Sequence, residues 1–380
     1  MNKAALTQAV KESALDLGFD LVGVCRPEPP PHFDIYSRWI EEGHHAGMGY
    51  LARESALQAR ENPLQLLPEC QSILVVAKQY LPHNIEALQH EDWSISAYAA
   101  GQDYHLLIKK KLEQLAENIQ ATAGRSLPFR TYTDTGPILE KVYARQAGLG
   151  WIGKNSCLIN PQMGSYLFLG EILLGLPLQP DKPFEFDFCG KCSACREACP
   201  ASCILSDRTL DAGRCISYLT IEHRGTIPPE HHASIGSWLF GCDVCQTVCP
   251  WNKRFAHPTA EPAFQIRDSY WSMDLQSLLR MDRESFRMIF HDSPIQRTKL
   301  EGILRNTLIL AGSHPDEALV PLLHRHLLHN QSSILRQHAA WSLGHYPFPA
   351  VEEILKAANR FETDPAVRQA IYTALQIRQK

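Results

Sequence analysis

Apolar residues change their spacing several times along the first 180 positions, and each change marks an element. "ALTQAVKESALDLGF" places Ala, Leu and Val at helical spacing among Lys, Glu and Asp, and "DLVGVC" follows it as a strand. "SILVVAKQYL" (72–81) is rich in β-branched residues and bounded by Pro68 and Pro82, which predicts a second strand. "YHLLIKKKLEQLAENIQATAG" (104–124) carries Leu106, Ile108, Leu112, Leu115 and Ile119 at helical spacing and ends on Gly124, a helix-stop signal. "FRTYTDTG", "NSCLINP" and "SYLFLGEILLGLPL" read as three further strands separated by Gly and Pro. The alternation predicts an α/β domain with a mixed sheet over residues 1–180.

From about residue 181 to 255 the long apolar runs give way to short Gly- and Pro-punctuated segments dense in cysteine, as expected of a small domain held by metal. Residues 256–380 return to helical spacing and contain a repeat. "LRNTLILAG", "LRQHAAWSLG" and "VRQAIYTAL" set Arg305, Arg336 and Arg368 at intervals of 31 and 32 residues, with Pro315, Pro347 and Pro365 at turns. That period predicts stacked helix pairs of the HEAT type, against an ordinary helical subdomain. The expected chain is an α+β multidomain protein divided at 1–180, 181–255 and 256–380.

Composition narrows the setting. A chain of 380 residues, 44% hydrophobic and 21% charged, exceeds the size of one core. No apolar run approaches the ~18 residues of a membrane span, and the polar interruptions of the first helix do not make a secretory signal. A cytoplasmic location without membrane attachment is expected, and reducing conditions there disfavour crosslinks, so clustered cysteines read as metal or redox ligands. The formal net charge of −4 argues against a general polyanion binder. Residues 291–380 nevertheless hold ten Lys or Arg against eight Asp or Glu, which permits a nucleic-acid surface there.

"FDFCGKCSACREACPASC" (186–203) packs five of the chain's twelve cysteines into one short stretch. Cys189, Cys192, Cys195 and Cys199, followed by Pro200, fit C-x2-C-x2-C-x3-C-P, in which the first three thiolates hold one [4Fe-4S] cubane and the fourth reaches a second. The second is supplied by "GCDVCQTVCPWN", where Cys242, Cys245 and Cys249 precede Pro250. Position 239, where a further ligand would fall, is Leu; Cys215 is the better replacement, since Cys203 lies only four residues beyond Cys199 and reads as a packing residue. Cluster one is assigned to Cys189, Cys192, Cys195 and Cys249, and cluster two to Cys199, Cys215, Cys242 and Cys245. Zinc also accepts four thiolates and is the minor alternative. The solitary Cys25, Cys70 and Cys157 read as core residues. No strand leads into G-x-G-x-x-G, so a dinucleotide acceptor has no signature here.

Taken in order, "TYTDTGPILEKVYARQAGLGWIGKNSCLINPQMGSYLFLGE" (131–171), "CGKCSACREACPASC", "YLTIEHRGTIP" (218–228) and "FGCDVCQTVCPWN" (240–252) resemble the epoxyqueuosine reductase family. The resemblance implies two [4Fe-4S] clusters and a base-off cobalamin in the amino-terminal domain. It also implies reduction of the epoxide of epoxyqueuosine, at the wobble position of a transfer RNA anticodon, to the alkene of queuosine. An external low-potential electron donor would be needed, and a monomer is expected.

On that resemblance Asp134 is the proton donor, a task for which its pKa would have to be raised by burial. Its competing reading is a cap on the helix beginning "PILEKVYARQ". Lys154, Asn155 and Ser156 are implied as donors to the cobalamin tail, Leu158 and Leu169 as corrin-lining residues, and Arg60 as a contact to a cobalamin amide or phosphate. Glu222, Arg224, Gly225, Gly241, Cys242 and Asp243 are implied to lie near the clusters and cobalamin. Arg305, Arg336 and Arg368 either grip RNA phosphates or serve as ion-pair partners within the repeats. Two rival functions are a ferredoxin-like electron carrier and a cobalamin-dependent reductive dehalogenase.

Overall fold

The computed structural model describes residues 2–378. The chain divides into two compact units, each drawn from three stretches: one from the segment up to His83 with Asp103–Gly213 and Asp243–Gln265, the other from Asn84–Gln102, Arg214–Cys242 and the chain from Ile266 onward. The cysteine-rich segment 181–255 therefore contributes to both.

The first unit is built on a four-stranded sheet ordered Leu21–Cys25, Ser72–Gln79, Leu167–Leu174, Phe129–Tyr132. Every neighbouring pair is antiparallel, which corrects the expectation of a mixed sheet. The reason is topological: Ser72–Gln79 and Phe129–Tyr132 run parallel, joined through the helix Tyr104–Ala123, but Leu167–Leu174 inserts between them, so no two neighbouring strands are parallel. Strand alternation gives the sheet two different faces. Gly170 lies under Ile108 and Leu112 of the helix Tyr104–Ala123, where an added Cβ would come within 3.2 Å of both side chains. That helix buries Ile108, Leu112, Leu115 and Ile119, leaves Leu106 exposed, and stops at Gly124 with φ +66°. The opposite face carries Leu169 and Leu173 into a core with Ile73, Val75, Ala77, Cys25, Cys70 and the short helix Glu140–Gln146. Glu171 stands between those two leucines on the same face.

In the second unit the helices Lys299–Ser313, Ser333–Gly344 and Pro365–Ile377 pack in sequence as one row. Val320–His329 and Pro349–Phe361 form the other row. Gly312 lets Trp341 and Ser342 of the next helix approach, and 32 residues on, Gly344 does the same for Ala374. Any side chain at either glycine would meet the neighbouring helix at about van der Waals contact or closer. The short strand Ser94–Ile95 pairs in parallel with Trp238–Phe240. No helix among the described residues is long and apolar enough to cross a membrane.

Candidate active site

Two cavities of the first unit carry its chemistry. The smaller, about 140 Å³, is lined by Cys189, Cys192, Cys195 and Cys249 together with Lys154, Asn155 and Trp251. Three of these thiols come from a tight loop in which the Cys192 N–H donates to the Cys189 carbonyl at 2.9 Å. That loop runs into the helix Ala194–Ala198, which packs against the helix Val244–Thr247 that leads to Cys249. Among the described residues no three Cys, His, Asp or Glu close on a single-ion site. The thiols instead ring a void with room for a larger inorganic core, and four sulfur donors suit iron–sulfur chemistry. The Trp151 indole N–H donates to Cys189 Sγ at 3.4 Å, while Lys154 Nζ donates to the carbonyls of Gly190 at 2.7 Å and Cys192 at 2.8 Å. Hydrogen bonds and a cation of this kind favour the more reduced, more negative state of a cluster.

For the second ligand set, Cys199 and Cys245 lie in the first unit and Cys215 and Cys242 in the second. Cys203 is buried, with its sulfur 3.5 Å from Cys199 Sγ. Cys25 and Cys70 are core residues, whereas Cys157 is half-buried.

The larger cavity, about 670 Å³, has apolar walls that include Tyr36, Trp39, Leu51, Ile138 and Trp151. Its volume lies near the middle of the ~300–1,000 Å³ span of ligand pockets. Arg60, Asp134 and Ser156 open onto it together. Arg60 is buried, donates to the Ala56 carbonyl at 3.2 Å and lies 5.6 Å from the Tyr36 ring centre, so it is not the solvated helix arginine that a lone Arg suggests. Ser156, in left-handed backbone at φ +62°, donates to the Arg208 carbonyl at 2.5 Å. The stretch 151–156 thus faces both cavities. Trp151, Ile152 and Ser156 line the large one, while Lys154 and Asn155 line the cysteine cavity. Lys154 and Asn155 are therefore placed beside the thiols and away from the large cavity where a corrin tail was expected to meet them. Leu158 and Leu169 are likewise in the apolar core and do not line the large cavity.

Asp134 occupies left-handed backbone, φ +58°, and its side chain is 63% exposed to the cavity. It caps nothing: the following helix starts at Glu140, its N-cap is Leu139, and no side chain caps it. Instead, Asp134 Oδ2 lies 3.3 Å from His105 Nε2, and His105 Nδ1 lies 2.7 Å from Asp103 Oδ1. Burial raises the Asp134 pKa, but the hydrogen bond and charge of His105, with help from Tyr104 and Lys141, outweigh it and hold the carboxyl below its usual range. The expectation of a raised pKa is corrected accordingly. For His105 burial works downward, yet the hydrogen bonds and charges of Asp103 and Asp134 prevail and push it up to about 9. At neutral pH the proton of this pair resides on the imidazole.

The sequence reading singled out none of His105, Asp103, Glu140 and Glu171. The "D-Y-H" spacing of Asp103 and His105 at a helix start was visible, as was a glutamate inside the apolar run "LFLGEILL"; their convergence on Asp134 was not.

Other expected residues have partners of their own. Glu222 accepts from Arg297 at 2.8 and 3.1 Å, and Arg224 donates to the Arg297 and Thr298 carbonyls. The Gly225 carbonyl accepts from Arg305 at 3.0 Å. Gly241 adopts φ +71° where a Cβ would strike Ser96 at 2.4 Å. Asp243 is buried, with Gln246 Nε2 at 3.4 Å. Arg305 is 2% exposed and spends its guanidinium on the carbonyls of Leu219, His223 and Gly225 and on Asn306 Oδ1. Arg336 forms a fork with Glu362 at 2.7 and 3.1 Å. Arg336 thus fits the ion-pair reading, whereas Arg305 is neither an ion-pair partner nor a surface cation and both expectations for it are corrected; Arg368 is exposed.

A ferredoxin-type thiol ring and an acid-bearing cavity in one unit define an iron–sulfur oxidoreductase. Residues 188–252 match the 4Fe-4S double cluster binding domain, and residues 60–135 match the family model described as Epoxyqueuosine reductase QueG, DUF1730. The chain is 41% identical over 346 residues to epoxyqueuosine reductase of Pseudomonas aeruginosa, covering 90% of this chain and 94% of that one. It is 38% identical over 343 residues to that of Escherichia coli, covering 89% of each. Among solved structures it is similar to an epoxyqueuosine reductase bound to an epoxyqueuosine-modified tRNA-Tyr stem loop, with TM-score 0.91 and 27% identity over 100% of both chains. It is also similar to a Bacillus subtilis epoxyqueuosine reductase whose catalytic aspartate loop is swung out of the active site, with TM-score 0.90 and 28% identity over 99% of this chain and 100% of that one. The chain belongs to the epoxyqueuosine reductase family.

Proposed function

We propose that this chain reduces epoxyqueuosine to queuosine at the wobble position of transfer RNA, with Asp134 as proton donor to the epoxide oxygen, passing on the proton that rests on His105. The observation that carries the reading is the opening of Asp134, backed by a protonated His105, onto the large cavity. The electron path is read as two [4Fe-4S] clusters, held by Cys189, Cys192, Cys195 and Cys249 and by Cys199, Cys215, Cys242 and Cys245. Bound cobalamin, fed by those clusters, would supply two electrons to the epoxide.

The cavity suits such a macrocycle: apolar and aromatic walls flank a flat ring, and Arg60 and Ser156 offer polar contacts at its edge. With the cavity filled, walls of this kind would exclude water, so a charge developing on the substrate oxygen would be strongly felt by nearby acids. Asp134 lines the cavity and its Oδ2 meets His105, which Asp103 holds in turn, so the imidazolium proton can pass to the substrate through the Asp134 carboxylate. The row of helices in the second unit is read as a HEAT-like repeat that contacts RNA, with Arg368 the exposed member of the repeated arginines. A cytoplasmic monomer taking electrons from an external donor completes the proposal.

The test is incubation of the iron–sulfur-loaded protein with cobalamin, a low-potential reductant and an epoxyqueuosine-bearing anticodon stem-loop, followed by nucleoside mass analysis. A product lighter by one oxygen atom is expected. Unchanged epoxyqueuosine with all cofactors bound would refute the proposal.

A further inference from the structure

Opening an epoxide to an alkene and water consumes two protons, and the Asp134–His105 pair accounts for one. Glu171 is the anomalous group of the same unit. It is 0% exposed, lies in an apolar row between Leu169 and Leu173, and neither of its carboxyl oxygens has a hydrogen-bond partner among the described residues. Its polar neighbour is another carboxyl, that of Glu140. Glu140 lines the large cavity beside Asp134, and its Oε1 accepts the Asp134 backbone N–H at 2.5 Å. Two carboxyls facing each other inside apolar packing cannot both be ionised without a prohibitive desolvation cost, so a proton stays with the pair.

We infer that Glu140 is a second proton donor to this cavity and that Glu171, kept protonated behind it, is the positioning residue that makes the transfer possible. The inference rests on the epoxide-reducing reading above. In the transfer, the O–H bond of Glu140 breaks as an O–H bond forms on the oxygen leaving the substrate, which departs as water. The electron pair of the broken bond remains on the Glu140 carboxylate, stabilised by the Asp134 N–H and by the Glu171 hydroxyl. One proton from the His105 imidazolium, passed through the Asp134 carboxylate, one from Glu140 and two electrons balance the conversion of epoxide to alkene and water. Each acid at the cavity surface is thus backed by a proton-bearing group one layer deeper: His105 behind Asp134, and Glu171 behind Glu140.

The surroundings agree with this division. Burial, then the charge of Asp134, push Glu140 up to about 7, against the pull of the Asp134 N–H, Glu171 and Lys141. Burial and the facing Glu140 carry Glu171 well above the usual range. From the strand Leu21–Cys25, the Cys25 thiol also faces Glu171, and it is itself held neutral by burial. An acid that titrates near the working pH is the most effective proton donor.

Infrared pH titration of the full chain, comparing wild type with Glu140→Gln and Glu171→Gln, reads the pair without turnover. Wild type should retain carboxylic acid absorption above about pH 6, where ordinary carboxyls are ionised. One component, missing in Glu140→Gln, should titrate near pH 7; another, missing in Glu171→Gln, should persist beyond it. In single-turnover reduction of the stem-loop by pre-reduced enzyme, Glu140→Gln should slow the reaction about 100-fold and abolish the rate loss through neutral pH. Glu171→Gln, which keeps a neutral donor beside Glu140, should stay within about tenfold of wild type, while Glu171→Leu should not. Absence of any acid band above about pH 6, or a wild-type pH profile in Glu140→Gln, overturns the inference. If wild type fails to reduce the epoxide, the functional reading falls, and the infrared bands decide the acid pair separately.

Discussion

The two cavities of the first unit solve opposite problems. The smaller gathers four thiols, three of them within seven consecutive residues, around a void of about 140 Å³ and surrounds them with an indole N–H and a lysine. The larger, about 670 Å³, draws its walls from residues scattered between Pro31 and Ala212 and sets Asp134 and Glu140 near apolar side chains. One site stabilises added negative charge with donors, whereas the other keeps protons on groups that would ordinarily lose them. Trp151 belongs to both, lining the large cavity while its N–H reaches Cys189, so a single buried residue links the electron-holding and proton-holding regions.

Substitutions should separate these tasks, and the largest effect is expected at the thiols. Cys249→Ala should remove one cluster and abolish turnover, read as roughly half the iron and sulfide of wild type. Cys215→Ala should do the same to the other cluster, while Cys203→Ala should spare both; the reverse would reassign the ligand. Asp134→Asn should retain clusters and corrin yet lower the rate of alkene formation by about 100-fold or more. Arg305→Ala should destabilise the second unit by on the order of 3–5 kcal/mol in chemical denaturation, because several buried carbonyls lose their donor at once. Arg336→Ala, which breaks a partly buried fork, should cost less, about 1–3 kcal/mol.

The smallest effect expected is that of pH on folding. The folded pKa of His105 is raised to about 9, so its contribution to stability is complete below about pH 6.5 and is lost as pH rises through about 9. A denaturation series over that window should show the decline in wild type and not in His105→Gln.

The cysteine site was legible because its ligand spacing is short and chemically restrictive: few alternatives fit C-x2-C-x2-C-x3-C-P followed by a second C-x2-C-x3-C-P. The helix 104–124 and the strands at 21–25, 72–79 and 167–174 were legible for a similar reason, their periods being local. Strand direction was not, since it depends on how distant segments return to the sheet. The acids were hidden likewise. Glu171 announces itself only as a charge inside an apolar strand, and nothing local says that Glu140, 31 positions earlier, faces it. Repeated arginines misled because a period marks equivalent positions without saying whether they face solvent; Arg305 serves the interior and Arg336 an ion pair.

The most direct test of this division is a cofactor measurement on wild type beside Trp151→Phe and Asp134→Asn. After anaerobic reconstitution, the three proteins should bind iron and sulfide for two [4Fe-4S] clusters and take up cobalamin. Only Trp151→Phe, which loses the N–H to Cys189, should shift a cluster reduction potential, and it should shift downward. Zinc at the thiols, or a first unit that excludes the corrin in all three proteins, would contradict the account.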